Sequence, residues 1–217
     1  MTKEIIDGLM QGNARYMKEG DQELFSCFRK GQSPSVTAVM CSDSRVAMGV
    51  LSDDPENKVF AIENIGNQIT TAQGSVDYGV LHLKTPVLVV LGHTQCGAVI
   101  AGLGDYTDET DGIRRELDSL SHGLSTMEGK PAEDDELKVD KYAQHNVDHQ
   151  VKLACGAYAE RIEAGELTVI GMMMDFCNTY GEADCQAYIT NVNGDTDVPA
   201  LRKMDLVKEH TDFIKRI

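Results

Sequence analysis

The sequence predicts an α/β fold: a mainly parallel central β-sheet flanked by helices, with an added edge strand near the C-terminus. Three observations carry this expectation. Residues 86–91 read Pro-Val-Leu-Val-Val-Leu, and a strand so uniformly apolar belongs in a parallel sheet covered on both faces. Other short runs of β-formers alternate with segments of helical period, the pattern of strands joined by crossover helices. A last apolar run, 187–192, follows a polar, Gly-containing stretch and fits an edge.

The elements follow in order. In residues 1–19, Ile5, Ile6, Leu9, Met10, Tyr16 and Met17 recur at helical spacing. Residues 29–35, Arg-Lys-Gly-Gln-Ser-Pro-Ser, read as a loop. Residues 36–40 form the first strand, ending at Cys41, and 58–62 the second, followed by Asn64 and Gly66. Residues 75–83 read as helix before the third strand, 86–91, which ends at Gly92-His93. A helix starts at Ala98. Residues 121–140 are polar and acidic, including Glu133-Asp134-Asp135-Glu136, and are expected as an exposed loop or helix start. Residues 142–164 carry Val147, Val151, Leu153, Ala154, Tyr158 and Ile162 as the apolar stripe of a long helix, and 166–173 form the fourth strand. Residues 1–217 are expected as one domain, with an N-terminal helical arm to about residue 25 and a C-terminal extension from about residue 180.

Composition excludes several classes of function. The chain has 217 residues, enough to bury a core without disulfides. Its formal net charge is −15, which argues against nucleic acid and against anionic membranes, since both need a basic footprint. The apolar run 86–91 is far too short to cross a bilayer. No basic, then apolar, leader opens the chain, so a cytoplasmic setting is expected. The six Cys, Cys27, Cys41, Cys96, Cys155, Cys177 and Cys185, then read as reduced: metal ligands, catalysts or core.

Two motifs stand at predicted strand ends: Cys41-Ser42-Asp43-Ser44-Arg45 and His93-Thr94-Gln95-Cys96-Gly97. Parallel α/β sheets bind ligands outside the carboxyl ends of their strands. His93 and Cys96, three residues apart, fall on one face of a turn or first helical turn. Cys41 would add a third ligand. Two thiolates and an imidazole favour zinc over oxygen-loving magnesium or calcium, and a Cys₂His set leaves a fourth position open for catalysis. If the strand continues, Cys41, Asp43 and Arg45 share a face. Asp43 could then orient a metal-bound water, and Arg45 could hold Asp43 ionised through paired hydrogen bonds. Arg45 is also the local positive feature that an anionic substrate or product would need on so acidic a chain.

These residues resemble the β-class carbonic anhydrases. Cys41-Ser-Asp-Ser-Arg-Val and Gly92-His-Thr-Gln-Cys-Gly carry the likeness. Leu9-Met-Gln-Gly-Asn-Ala-Arg-Tyr16, Phe60-Ala-Ile-Glu-Asn-Ile-Gly-Asn67 and 75–83 extend it, as does the helix-then-strand pattern of 146–173. The resemblance, closest to the plant-type, open-site branch, implies reversible hydration of carbon dioxide to bicarbonate and a proton. It implies one zinc ion per chain and attack by zinc-bound hydroxide on carbon dioxide in an apolar pocket. It implies substrate contacts from Gln32, Phe60, Ile65, Tyr78 and Gly97. It also implies a homodimer or larger homo-oligomer with the active site at the dimer interface. Glu63 stands where the family usually has arginine, so a non-catalytic bicarbonate site is not expected here.

Because two thiolates cancel the charge of Zn²⁺, activity is expected to rise toward alkaline pH. Three alternatives stay open. They are hydrolysis of carbonyl sulfide or carbon disulfide at the same site, a non-catalytic zinc site closed by a further Cys, and redox chemistry through Cys177 and Cys185. His82, His122, His145, His149 and His210 are candidate proton shuttles by chemistry alone.

Overall fold

A computed structural model of the chain describes residues 1–181 and 185–217. The C-terminal extension expected from about residue 180 thus falls partly outside the described residues. The chain divides into two compact units, Met1–Ser33 and Pro34–Ile217. The first holds α1, Thr2–Glu19, and α2, Gln22–Phe28. The sequence reading did not foresee α2. Asp21 caps it, accepting from the amides of Glu23 and Leu24 at 2.8 and 3.2 Å. The apolar stripe expected in α1 is present but unburied: Ile5, Ile6, Leu9, Met10, Tyr16 and Met17 are all exposed.

The second unit is built on five strands: β1 Val36–Cys41, β2 Val59–Asn64, β3 Val87–His93, β4 Thr168–Asp175 and β5 Gln186–Val192. Their order is β2-β1-β3-β4-β5. The first four run parallel and β5 pairs antiparallel with β4 as the edge strand. The sheet is mixed but mostly parallel, as expected. Alternation divides the strand side chains between two faces. Val39, Leu88, Val90 and Val169 join one core cluster, with Val147 and Val151 of α6 (Lys138–Ala157). Ala38, Met40, Val89, Leu91 and Met174 form the other.

The remaining helices include α3 (Gln73–Asp77), which continues as a π-helical turn over Tyr78–His82. Next come α4 (Gly97–Leu103), α5 (Asp111–Ser125), α7 (Ala159–Glu163) and α8 (Val198–Leu201). Helix α5 corrects the reading of 121–140: residues 121–125 finish a helix that buries Leu117, Leu120 and Leu124. Within the acidic run, Glu133, Asp134 and Glu136 are exposed, and Asp135 pairs with Lys141 at 2.7 Å.

Helix α6 lies close against β3 and β4 because glycines face it. A Cβ on Gly92 would meet Val147 Cγ2 at 2.6 Å, and one on Gly171 would meet Val147 Cγ1 at 2.8 Å. The chain end is tied to the same helix: Arg216 pairs with Asp148 at 2.6 Å and donates to the Thr190 carbonyl at 2.7 Å.

Candidate metal centre

Register brings the two motifs together. In the β1–β3 ladder Met40 lies opposite Leu91, so Cys41 and His93 leave neighbouring strands, ~4.8 Å apart, at their carboxyl ends. Alternation sends them to opposite faces: Cys41 packs in the cluster of Val39, whereas His93 takes the side of Leu91. They meet over the edge of the sheet. A turn at Thr94-Gln95, with Gln95 at φ +52°, then delivers Cys96 to the N-cap of α4. The ligand atoms of Cys41, His93 and Cys96 all lie within 4.8 Å of one another, and all three residues are buried.

The donor set fits a metal ion. The Cys41 and Cys96 sulfurs are 3.9 Å apart. That is too long for a disulfide and close to the ~3.8 Å separating two thiolates ~2.3 Å from a tetrahedral zinc. His93 Nδ1 lies 2.9 Å from the Thr94 carbonyl. A carbonyl only accepts, so Nδ1 carries the proton and Nε2 presents its lone pair. That Nε2 is buried without a hydrogen-bond partner among the described residues. An orphaned buried acceptor is costly unless something binds it.

The electrostatics agree. The hydrogen bond from Cys96 lowers the Cys41 pKa against the effect of burial, with His93 and the Gly66 amide adding to it. The same bond and burial raise Cys96, opposed by the amides of Val99 and Ala98. The shared hydrogen bond thus moves the two thiols apart, Cys41 toward the thiolate and Cys96 away from it.

Asp43 and Arg45 sit beside the donors, though not by strand alternation. The chain turns after Cys41: Asp43 Oδ1 accepts from the Arg45 amide at 3.0 Å, and the Asp43 carbonyl accepts from Val46 N at 2.9 Å. A local turn replaces the extended segment expected from sequence. The Arg45 fork donates to both carboxylate oxygens, Nε to Oδ1 at 2.9 Å and Nη2 to Oδ2 at 2.7 Å. The guanidinium holds the Asp43 carboxyl well below the usual carboxylate range. Asp43 Oδ2 is also 3.7 Å from His93 Nε2, so the carboxylate borders the donor set.

The other residues implied by the resemblance divide. Gly97 follows Cys96, is exposed, and a Cβ there would meet nothing within 4 Å. Ile65 is half-buried against the core. Phe60 and Tyr78 face each other with ring centroids 5.7 Å apart. Phe60 pairs with Thr37, four residues before Cys41, about 13 Å away along the strand. One chain therefore does not bring this ring pair to Cys41. Gln32 is exposed and belongs to the first unit. Glu63 is exposed on β2.

Sequence reasoning missed Phe176, whose ring lies 4.6 Å from the Arg45 guanidinium carbon and 5.4 Å from the His93 ring. Its position just past β4, at the carboxyl edge of the sheet, was the available signal. It also missed two buried carboxylates behind the site. Asp175 accepts from the Thr94 hydroxyl at 3.5 Å and from the amides of Cys177, Thr179 and Tyr180. Asp140 accepts from Gln95 and Thr179. Cys177 and Cys185 are exposed thiols and Cys155 is half-buried. Among the described residues the donor group has only its three members.

Fold and site together define an α/β protein with a buried Cys-His-Cys group able to hold a metal ion at the carboxyl edge of a mostly parallel sheet. Comparison with known proteins narrows this. The carbonic anhydrase family model matches residues 36–181. The chain is 31% identical over 173 residues to carbonic anhydrase 2 of Mycobacterium tuberculosis, covering 75% of this chain and 79% of that one. It is 30% identical over 200 residues to the carbonic anhydrase of Mycolicibacterium smegmatis, covering 86% and 92%. A Coccomyxa β-carbonic anhydrase shares the fold with a TM-score of 0.74 at 24% identity, covering 95% and 96% of the two chains. A tetrameric β-carbonic anhydrase from Sordaria macrospora superposes with a TM-score of 0.64 at 25% identity, covering 80% and 92%. The chain belongs to the β-class carbonic anhydrase family. Among the described residues no helix is long and apolar enough to cross a membrane.

Proposed function

We propose that the chain catalyses reversible hydration of carbon dioxide to bicarbonate and a proton at one zinc ion held by Cys41, His93 and Cys96. The observation that carries this reading is the convergence of three buried donors, within 4.8 Å of one another, beside an Asp43–Arg45 pair that no structural metal site needs. Zinc bound there would supply a Lewis acid, the chemistry that makes water nucleophilic near neutral pH.

The residues divide the remaining work. His93 offers Nε2 because the Thr94 carbonyl holds its proton on Nδ1. Asp43, kept ionised by Arg45, accepts the hydrogen bond of the attacking water and so fixes which lone pair faces carbon. Arg45 steadies that carboxylate, and Phe176 packs its ring against the guanidinium. Both Asp43 oxygens are committed to Arg45, which favours an arrangement with the fourth position left open. Gly97, without a side chain in open space, lets substrate approach Cys96. Ile65, Phe60 and Tyr78 form the carbon dioxide pocket, Phe60 and Tyr78 being contributed across a homodimer.

Stopped-flow hydration of carbon dioxide tests this, on zinc-replete protein across pH 6 to 9. Fast, zinc-dependent turnover that climbs toward alkaline pH is expected. Protein with one zinc per chain and no turnover would refute the reading.

A further inference from the structure

We infer that Asp140 is the positioning residue of the metal centre, acting through the left-handed turn at Gln95 that joins His93 to Cys96. This rests on the zinc reading above.

Asp140 lies in the first turn of α6, is 1% exposed, and among the described residues its hydrogen bonds go to Gln95 and Thr179 rather than to the three donors. Its Oδ1 accepts twice from one residue: from Gln95 N at 2.7 Å and from Gln95 Nε2 at 3.0 Å. Its Oδ2 accepts from the Thr179 hydroxyl at 2.9 Å. A buried carboxylate must recover its lost hydration through such bonds. Here the bonds join three sequence-distant pieces: α6, the turn after β3 and the loop after β4.

The turn needs that hold. Gln95 sits at φ +52°, a left-handed conformation that crowds the Cβ of any residue but glycine. Glycine would adopt it freely, but glutamine brings a side-chain amide that the same carboxylate can grip. With its N–H drawn toward Asp140, the Gln95 carbonyl faces outward to Arg45 Nη2 at 3.5 Å. One conformation at residue 95 therefore sets two things. It keeps the Cys96 sulfur 3.9 Å from that of Cys41, and it gives the arginine that holds Asp43 a further acceptor. Released from Asp140, residue 95 would relax to negative φ and swing Cys96 out of the donor set.

The test is zinc affinity, measured on apoprotein by competition with a chromogenic chelator. Asp140→Ala should weaken zinc binding ten- to a hundredfold, the usual range for residues behind a metal's ligands. Asp140→Asn keeps an acceptor toward Gln95 and should stay within about threefold of wild type. The decisive variant is Asp140→Ala combined with Gln95→Gly. Glycine takes the left-handed conformation unaided, so the double variant should recover most of the lost affinity.

A second comparison avoids the buried site in case Asp140→Ala does not fold. Gln95→Val, which resists positive φ, should bind zinc at least tenfold more weakly than Gln95→Gly. Wild-type affinity in Asp140→Ala, or equal affinity in Gln95→Val and Gln95→Gly, would overturn the inference. A wild-type chain that binds no zinc would instead overturn the functional reading, and this inference with it.

Discussion

At the scale of single residues, donor identity and donor orientation are separate problems. Cys41, His93 and Cys96 supply the atoms, but His93 is useful only because a carbonyl holds the proton on its other nitrogen. Asp43 stands outside the donor set with both oxygens on Arg45. Two substitutions should therefore behave differently. Asp43→Ala should keep zinc and lose turnover by roughly a hundredfold or more. Cys96→Ala should lose the metal itself. Metal analysis of purified protein beside stopped-flow rates separates them, and normal turnover in Asp43→Ala would remove the role assigned to it.

At the scale of elements, the close approach of α6 to the sheet decides how firmly the site is backed. Gly92 precedes His93, and a methyl there would meet Val147 at 2.6 Å and Met173 Sδ at 3.0 Å. Gly92→Ala should destabilise the fold by roughly 1–3 kcal/mol and lower the melting temperature by several degrees. An unchanged melt would mean that α6 can shift without strain. The α5–α6 contact carries a pH dependence. Burial, then the neighbouring His145, His122 and Lys152, push the His149 pKa below its ordinary 6.5. The unfolded chain therefore binds more protons than the folded one as pH falls below about 6.5. His149's contribution to stability is complete above that value and is lost as pH drops through the folded pKa. Calorimetry from pH 7.5 to 5 should show a falling melting temperature, with a shallower slope in His149→Gln. Equal slopes would place the acid sensitivity elsewhere.

At the scale of the whole molecule, the apolar stripe of α1 bears on assembly. Its stripe of Ile5, Ile6, Leu9, Met10, Tyr16 and Met17 is exposed, Leu9 to 63%, and exposed apolar stripes are a usual feature of interaction surfaces. The family resemblance implies a second copy as the cover. The distance of the Phe60–Tyr78 pair from Cys41 within one chain points the same way. Leu9→Asp should shift sedimentation from dimer or larger toward monomer while a cooperative melt is kept. A wild-type chain that sediments as a monomer would end this account of α1.

What could be read along the chain was whatever repeats or reacts locally. The apolar runs ending at Cys41 and His93 announce two strands, and a parallel sheet sends strand ends to one edge, so the grouping of Cys41, His93 and Cys96 was legible before any coordinates. Helix α5 was not: Gly112, Ser119, Ser121 and Gly123 dilute it, and its buried Leu117, Leu120 and Leu124 make only a narrow stripe. Nor was the turn that joins Asp43 to Arg45, because a strand ending at Cys41 does not announce the bend that follows. Asp140 lay beyond reach for a different reason, and Phe176 had only its place past β4 to mark it. Asp140 meets a residue 45 positions away, and Phe176 N donates to one 82 positions away. By itself the sequence determined the fold class and which side chains could act as donors, because periodicity and residue type are local properties. Only the tertiary structure decided which buried carboxylate grips which amide, because a buried polar group takes its partner from whatever packing brings near, however distant in the chain.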